Sequence, residues 1–461
     1  MGESIIIYED YIHELLEMTK NPSREEVDRV LERAKNCIAL SHKDIATLLQ
    51  VDDKEVMEEV FKIAGQVKRK IYGNRIVIFA PLYLSSYCIN NCLYCGYKQE
   101  NQMPRKKLTM EEIREEVMAL EEMGHKRLAL EAGEDPVNCD IDYIVDAIRT
   151  VYDTYNKKGN IRRVNVNIAA TTVENYKKLK EAGIGTYILF QETYHKPTYE
   201  AMHLSGPKKD YNYHLTAFNR AMEAGIDDVG AGVLFGLYDY KFEVLGLMLH
   251  NEYLERNYGV GFHTISVPRL KPARGMKVED FPYLVNDEEF KKIVAILRLA
   301  VPFTGIILST RETHEMRREV IEYGVSQISA GSCTGVGGYR KGEEKNTPQF
   351  KVGDTRRPIE VLKELLEDGH IPSYCTACYR MGRTGDRFME LAKSGQIQYV
   401  CQPNALMTLT EYAIDYGDEE FKEAVDRIIE REALNIKDSK IRESLLNNID
   451  RIKAGERDLY F

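Results

Sequence analysis

The sequence lacks the features that mark membrane, secreted and nucleic-acid-binding proteins. No apolar run approaches the ~20 residues that a membrane-spanning helix requires. The 63 Lys and Arg residues are outnumbered by 73 Asp and Glu residues, and the net charge of −10 argues against a nucleic-acid partner. The N-terminal segment MGESIIIYEDYIHELLE lacks the basic start and the small-residue cleavage site of a secretory signal. We therefore expect a cytoplasmic protein.

Hydrophobic periodicity divides the 461 residues into three parts. Residues 1–75 repeat apolar side chains at helical spacing, which predicts an N-terminal helical extension. Within residues 76–350, β-rich runs alternate with helical segments, many of which end in glycine. This alternation is typical of an α/β protein with a (β/α)8 TIM-type barrel, whose active site lies at the C-terminal ends of the strands. The eight predicted strands are 75–82, 127–131, 164–169, 186–190, 229–235, 262–267, 305–309 and 325–329.

The barrel pattern lapses near residue 335. Residues 335–358 predict a long glycine-rich, charged loop, and the third part, 351–461, predicts a C-terminal helical domain. That domain contains half of the grouped cysteines described next, so we expect it to carry a metal group of its own.

The nine cysteines are unevenly distributed. An odd count in a large chain without a secretory signal favours metal ligation over structural disulfides. Six of them form two tight groups, Cys88/Cys92/Cys95 and Cys375/Cys378/Cys401. The other three, Cys37, Cys139 and Cys333, are expected to be buried free thiols.

The first group lies in SSYCINNCLYCGYK, with C-x3-C-x2-C spacing, directly after the first predicted strand. Three thiolates can bind three irons of a [4Fe–4S] cluster and leave the fourth iron open to another ligand. A zinc site is the alternative. It would need a fourth ligand, usually from C-x2-C pairs, and no further cysteine or histidine is near this group in the sequence. We therefore favour the cluster.

The second group has C-x2-C-x22-C spacing, from Cys375 to Cys401. A zinc knuckle that lacks one ligand is the alternative here. Three cysteines again favour an iron–sulfur cluster with one corner that is not bound by cysteine.

The first group resembles the signature of the radical S-adenosylmethionine (SAM) superfamily, including the aromatic Tyr94 before the last cysteine. The resemblance implies that the open iron binds SAM and that an electron from the cluster releases a 5′-deoxyadenosyl radical. Ala132-Gly133-Glu134 follows the second predicted strand, where the superfamily has a Gly-Gly-Glu-like motif that contacts the SAM amino group. By position, three further residues are expected to contact the ribose and carboxylate of SAM, with a surface role as the alternative: Gln191, Glu192 and His214.

The motifs YILFQETYH, LSTRE and ISAGS, together with the second cysteine group, are similar to the tyrosine lyases of [FeFe]-hydrogenase maturation. The related thiamine-pathway 2-iminoacetate synthases lack the second cluster. The resemblance implies cleavage of the Cα–Cβ bond of L-tyrosine to p-cresol and dehydroglycine. Dehydroglycine then yields carbon monoxide and cyanide on a labile iron attached to an auxiliary [4Fe–4S] cluster. The resemblance also implies that a cysteine molecule is part of this iron assembly, and that the protein makes transient contacts with other hydrogenase-maturation proteins.

The same resemblance assigns three further residues. Arg311 would neutralise the tyrosine carboxylate and Ser329 would add a hydrogen bond; the alternative for Arg311 is an ion pair with Glu315 at a helix start. His263 would hold the labile iron, although a lone histidine is more often structural. The resemblance places SAM and tyrosine at one mouth of the barrel, the auxiliary cluster at the other, and a channel between them.

Two other functions stay open at this point. One is a different radical SAM amino-acid lyase, such as a thiamine-type enzyme, which would release no carbon monoxide. The other is an iron–sulfur carrier or scaffold, which would need neither Glu134 nor Arg311.

Overall fold

The computed structural model describes residues 6–341 and 348–461. Part of the predicted glycine-rich loop, 342–347, lies outside the described residues. Eight parallel strands form a closed barrel, in which Ile78 of the first strand pairs with Ile328 of the last. The barrel strands are β1 Arg75–Ser85, β2 Arg127–Ala132, β3 Arg163–Asn167, β4 Tyr187–Glu192, β5 Val229–Val233, β6 Thr264–Ser266, β7 Gly305–Leu308 and β8 Gln327–Ser329. The predicted (β/α)8 barrel is confirmed, with each predicted run containing or overlapping one strand.

Three further strands lie outside the eight-stranded barrel. Tyr155–Asn156 and Gly159–Asn160 form a short antiparallel hairpin. A ninth parallel strand, β9 (Ile371–Ser373), pairs with the first residues of β1, with Ser373 opposite Val77. This strand carries the chain to the N-terminal end of the barrel, two residues before Cys375.

Helices surround the barrel and extend it at both ends of the sequence. The helices before β1 are α1 Glu9–Met18, α2 Arg24–Lys35, α3 His42–Leu49 and α4 Lys54–Tyr72. Those between β1 and β9 are α5 Met110–Glu122, α6 Ile141–Tyr152, α7 Val173–Glu181, α8 Lys196–Met202, α9 Tyr211–Leu215, α10 Ala217–Glu223, α11 Tyr240–Tyr258, α12 Asp287–Ala300, α13 His314–Tyr323, α14 Gly338–Lys341 and α15 Pro358–Glu367. Those after β9 are α16 Ala377–Arg380, α17 Gly385–Lys393, α18 Ile397–Tyr416, α19 Glu419–Asn435 and α20 Ser439–Lys453.

Local sequence explains where many of these helices begin. The Ser23 and Thr109 side chains each accept a hydrogen bond from the backbone N–H three residues on, and the Glu26 and Glu112 carboxylates accept one from the backbone N–H of Ser23 and Thr109. The extension is joined to the barrel by polar contacts as well as by apolar packing, since Lys292 on α12 donates to the carbonyl of Val51 at 2.5 Å. One apolar core is continuous from α1 through the barrel to α18. No helix among the described residues is long and apolar enough to cross a membrane.

Candidate active site and metal centres

The first cysteine group lies in a loop that is fastened to its neighbours by backbone hydrogen bonds. Ile89 donates to the carbonyl of Glu134 at 2.8 Å, and Leu93 donates to the carbonyl of Met202 at 3.0 Å. Gly133 lies so close to this loop that a Cβ atom there would come within 2.2 Å of the Tyr87 carbonyl oxygen. Only glycine fits at this position, which explains the glycine of the Ala-Gly-Glu motif.

A cavity of about 220 Å³ opens at the C-terminal ends of the barrel strands. Nine of the sequence-predicted site residues line it: Cys88, Cys92, Cys95, Tyr94, Gly133, Glu134, Glu192, Arg311 and Ser329. Residues more than 200 positions apart in the sequence therefore share one cavity. Burial raises the pKa of Cys92 and of Cys95 above that of an ordinary thiol. Both thiols would consequently need a metal group to be held as thiolates.

Two polar residues of this cavity were missed by sequence reasoning. Asn90, between two of the cysteines, donates from Nδ2 to Glu134 Oε2 at 2.6 Å and accepts from the Lys208 backbone at 2.9 Å. Lys208 Nζ lies 2.6 Å from Glu192 Oε1. Lys208 precedes a helix in an exposed-looking Pro-Lys-Lys run, so no periodic signal identified it. These contacts fix the two carboxylates beside the cysteine loop.

Tyr94 is held by a histidine whose proton can be placed. His203 Nδ1 lies 2.7 Å from the carbonyl oxygen of Tyr199, so it must be the protonated nitrogen. Nε2 is then the acceptor, and the Tyr94 hydroxyl donates to it at 2.8 Å. Burial lowers the pKa of His203 to about 3, which agrees with a neutral ring.

Two predicted SAM contacts differ from expectation. Gln191 is buried and lies outside the cavity lining, on the opposite face of β4 from Phe190 and Glu192, which both line the cavity. His214 is fully buried and its Nε2 lies 2.9 Å from the Phe190 carbonyl, also outside the lining. Both residues support strand β4 and do not face the cavity.

Arg311 faces the cavity, and the alternative ion pair with Glu315 is absent from the described structure. Its guanidinium carbon lies 3.4 Å from the ring centroid of Phe350. Ser329 Oγ accepts from the Thr310 backbone at 3.1 Å. Glu131, at the end of β2, lines the same cavity and was missed; burial raises its pKa to about 8.

A second cavity, of about 70 Å³, lies at the opposite, N-terminal end of the barrel. It is lined by all three cysteines of the second group and by His263. Strand β9 positions Cys375, α16 contains Cys378, and α18 contains Cys401. His263 directly precedes β6. Four residues that the sequence predicted as metal ligands thus surround one space.

The chemistry of these four side chains suits a metal group. The hydrogen bond that the two thiols share lowers the pKa of Cys378 and raises that of Cys401, so Cys378 ionises before Cys401. Burial lowers the pKa of His263, which keeps the imidazole neutral and its lone pair available. His263 Nε2 lies 3.6 Å from Asp228 Oδ2, and its ring packs edge-on against Phe388 at 4.5 Å.

The two cysteine groups offer the same set of metal ligands. In the part of the chain that the structure describes, no three His, Cys, Asp or Glu side chains are arranged to hold one metal ion. Each group instead borders a cavity with three thiols and no fourth cysteine. This donor set fits a cluster with three thiolate ligands and one open corner better than a four-ligand zinc site.

Comparison with known proteins identifies the class of protein to which this architecture belongs. Residues 82–248 match the radical SAM superfamily, and residues 266–371 match the biotin and thiamin synthesis associated domain. The 2-iminoacetate synthase of Salmonella typhimurium is 33% identical over 344 residues, which cover 74% of this chain and 89% of that protein. The barrel, the first cysteine loop and these matches define a radical SAM enzyme, with a SAM-bound [4Fe–4S] cluster implied at the first cysteine group.

Solved structures identify the family within that class. A crystal structure of HydG, a maturase of the [FeFe]-hydrogenase, is 60% identical with a TM-score of 0.97, covering 99% of this chain and 100% of that one. HydG from Carboxydothermus hydrogenoformans is 40% identical with a TM-score of 0.85, covering 97% and 99%. The chain belongs to the HydG family of [FeFe]-hydrogenase maturases, which confirms the resemblance seen in the sequence.

Proposed function

We propose that this protein is a tyrosine lyase that supplies carbon monoxide and cyanide for assembly of the [FeFe]-hydrogenase active site. It would cleave the Cα–Cβ bond of L-tyrosine to p-cresol and dehydroglycine. Dehydroglycine would then split into carbon monoxide, cyanide and water. The two diatomic products would bind an iron, and this iron, together with a cysteine molecule, would be the product that leaves the protein. Other hydrogenase-maturation proteins would be transient partners.

The observation that carries this proposal is the second cavity, with three cysteines and a histidine at the far end of the barrel. The second cysteine group lies beyond both matched family regions, which end at residue 371. A lyase that released dehydroglycine as its final product would need no second metal site. We propose an auxiliary [4Fe–4S] cluster on Cys375, Cys378 and Cys401, with a labile iron held by His263.

The residues of the first cavity suit an amino-acid substrate beside SAM. The [4Fe–4S] cluster supplies, when bound, the electron that cleaves SAM. Glu134, which accepts a hydrogen bond from Asn90, would accept one from the SAM amino group, and Glu192 is held by its ion pair with Lys208. Arg311 has no ion pair or side-chain hydrogen bond within the described residues, so both edges of its guanidinium are available to a carboxylate. Ser329 would add a hydrogen bond.

The three parts of the chain would divide the work. Residues 1–75 would brace the barrel, residues 76–350 would bind SAM and tyrosine, and residues 351–461 would hold the auxiliary cluster. The closed barrel lies between the two cavities, and we propose that dehydroglycine crosses it.

Anaerobic turnover tests the proposal. Reconstituted protein given SAM, dithionite and tyrosine should form p-cresol and 5′-deoxyadenosine, and Cys88→Ala should abolish both. Absence of p-cresol from wild-type protein with both clusters loaded would exclude tyrosine cleavage.

A 2-iminoacetate synthase activity is the second candidate, because the Salmonella enzyme is 33% identical over most of its length. That activity ends at dehydroglycine. Carbon monoxide trapped by deoxyhaemoglobin during the same turnover separates the two, since only the proposed function produces it.

A further inference from the structure

Arg163 is the buried cation behind the second cysteine group. It is the first residue of β3 and is 1% exposed. It lines neither cavity, and it reaches Cys375 from within the barrel. Nη1 donates to the Cys375 carbonyl oxygen at 3.1 Å and lies 3.7 Å from Cys375 Sγ. It is therefore in contact with both the backbone and the sulfur of one proposed ligand.

The rest of the guanidinium is fixed on every side. Nε donates to Asn165 Oδ1 at 3.1 Å and Nη2 donates to Thr186 Oγ1 at 3.0 Å. The Tyr379 ring stacks on the guanidinium, with its centroid 3.7 Å from the central carbon. These contacts hold the guanidinium in one orientation. Its N–H therefore points at Cys375 whether or not a metal group is bound.

The charge of Arg163 is incompletely compensated by the protein. No carboxylate lies within 4.0 Å of it in the described structure; the Asp228 carboxylate, which accepts a hydrogen bond from the Tyr379 hydroxyl, acts on Arg163 from further away. A buried cation without an anionic partner is costly. Thiolates and a metal group at the second cysteine group would supply the missing negative charge.

Cys375 itself is held in an unusual backbone conformation. Its φ of +48° lies in the left-handed region, which side-chain-bearing residues rarely adopt. The hydrogen bond from Arg163 to its carbonyl oxygen fixes this conformation and thereby the direction of the thiol.

We propose that Arg163 is a positioning residue for the auxiliary cluster, orienting Cys375 and raising the reduction potential of the cluster. This rests on the proposed function, which places a cluster there. A cationic N–H donor beside a ligating sulfur stabilises the more negative, reduced state of the cluster. Removing the donor should therefore lower the potential.

The test is a redox titration, followed by EPR, of reconstituted wild-type, Arg163→Met and Arg163→Lys proteins. The first cluster, at the other end of the barrel, is an internal reference. We expect Arg163→Met to lower the potential of the second cluster and leave that of the first unchanged. Arg163→Lys keeps the positive charge but lacks the fixed N–H donors of the guanidinium. It should lower the potential of the second cluster by less than Arg163→Met does. Arg269→Lys alters a buried arginine that contacts Glu312 and no cysteine, and it should shift neither cluster.

Thr186→Val provides a milder variant, since it removes one acceptor of Arg163 and leaves the arginine in place. It should lower the second potential by less than Arg163→Met does. An unchanged second potential in both Arg163→Met and Thr186→Val overturns the proposal, as does a wild-type protein that loads only one cluster. The p-cresol yield reports separately on the tyrosine lyase activity, which can fail while the shift in potential persists.

Discussion

Arg127, the first residue of β2, donates a hydrogen bond of 2.9 Å to Gln327, the first residue of β8, and the two residues line opposite cavities. Arg127 faces the cavity beside the first cysteine group, while Gln327 faces the cavity beside the second. Both are buried. This side-chain pair therefore lies between the proposed site of tyrosine cleavage and the proposed auxiliary cluster.

Gln327→Met tests passage between the cavities. The substitution keeps the length of the side chain and removes the amide that binds Arg127, placing an apolar group in the proposed path. We expect p-cresol formation to stay within about twofold and carbon monoxide per p-cresol to fall about tenfold, equivalent to ~1.4 kcal/mol. Equal carbon monoxide per p-cresol in wild type and variant would contradict a path past this pair.

Arg311→Lys tests recognition of the tyrosine carboxylate. Lysine keeps the charge and loses the bidentate fork, and hydrogen bonds to charged groups contribute roughly 1.5–3 kcal/mol. The KM for tyrosine in p-cresol formation should rise roughly 10- to 100-fold. Glu315→Gln, which removes the alternative partner on α13, should leave KM unchanged. If KM changed in Glu315→Gln and not in Arg311→Lys, Arg311 would not bind the tyrosine carboxylate and its role would be structural.

A buried ion pair joins the barrel to α18, and we expect removal of its carboxylate to destabilise the protein. Arg162 Nη2 lies 2.6 Å from Glu411 Oε2, and both side chains are buried. Glu411→Gln should lower the free energy of unfolding by about 1–3 kcal/mol, because Arg162 loses its buried anionic partner and keeps only the ion pair with the more exposed Asp458, at 3.1 Å. Asp142→Asn breaks an exposed ion pair of the same length, to Lys178, and should cost less than about 1 kcal/mol. Similar losses in the two variants, measured by denaturant unfolding, would contradict the role given to burial.

Buried histidines predict lower stability in acid. Burial lowers the pKa of His125 to about 4 and that of His250 to about 3. The unfolded chain, with histidine pKa values near 6.5, binds protons first as the pH falls. Each neutral buried histidine therefore contributes fully to the free energy of unfolding above about pH 6.5. Below that pH the contribution falls by up to ~1.4 kcal/mol per pH unit for each histidine.

His250→Gln should reduce that dependence. Glutamine does not titrate and can still contact the Tyr194 hydroxyl, which lies 3.1 Å from His250 Nδ1. Denaturant unfolding between pH 5 and 8 should give a shallower slope for the variant than for wild type. Identical slopes would mean that His250 is protonated in the folded state.

Much of this architecture could be predicted because its signals are local. Eight short β-rich runs separated by amphipathic helices lead to a closed barrel, and the cysteine spacing identifies both metal-binding loops. Strand β9 was missed because three residues in an irregular stretch carry no periodic pattern, although they position Cys375. Gln191 lies outside the cavity lining because successive residues of a strand face opposite sides, and its neighbours Phe190 and Glu192 are the ones that line the cavity.

The remaining site residues depend on tertiary contacts. Lys208 and Asn90 act through hydrogen bonds between segments more than 100 residues apart, which no local pattern encodes. Glu131 could have been found, since a carboxylate at the end of an otherwise apolar barrel strand is unusual. The contact of Arg163 with Cys375 joins residues 212 positions apart and required the fold.

The most direct test measures p-cresol and trapped carbon monoxide together in wild-type protein and Cys378→Ala. The account assigns tyrosine cleavage to the first cavity and carbon monoxide formation to the second. Wild type should therefore form both products, and Cys378→Ala should form p-cresol without carbon monoxide. Carbon monoxide from Cys378→Ala at the wild-type ratio to p-cresol, or loss of both products together, would contradict the separate roles of the two cysteine groups.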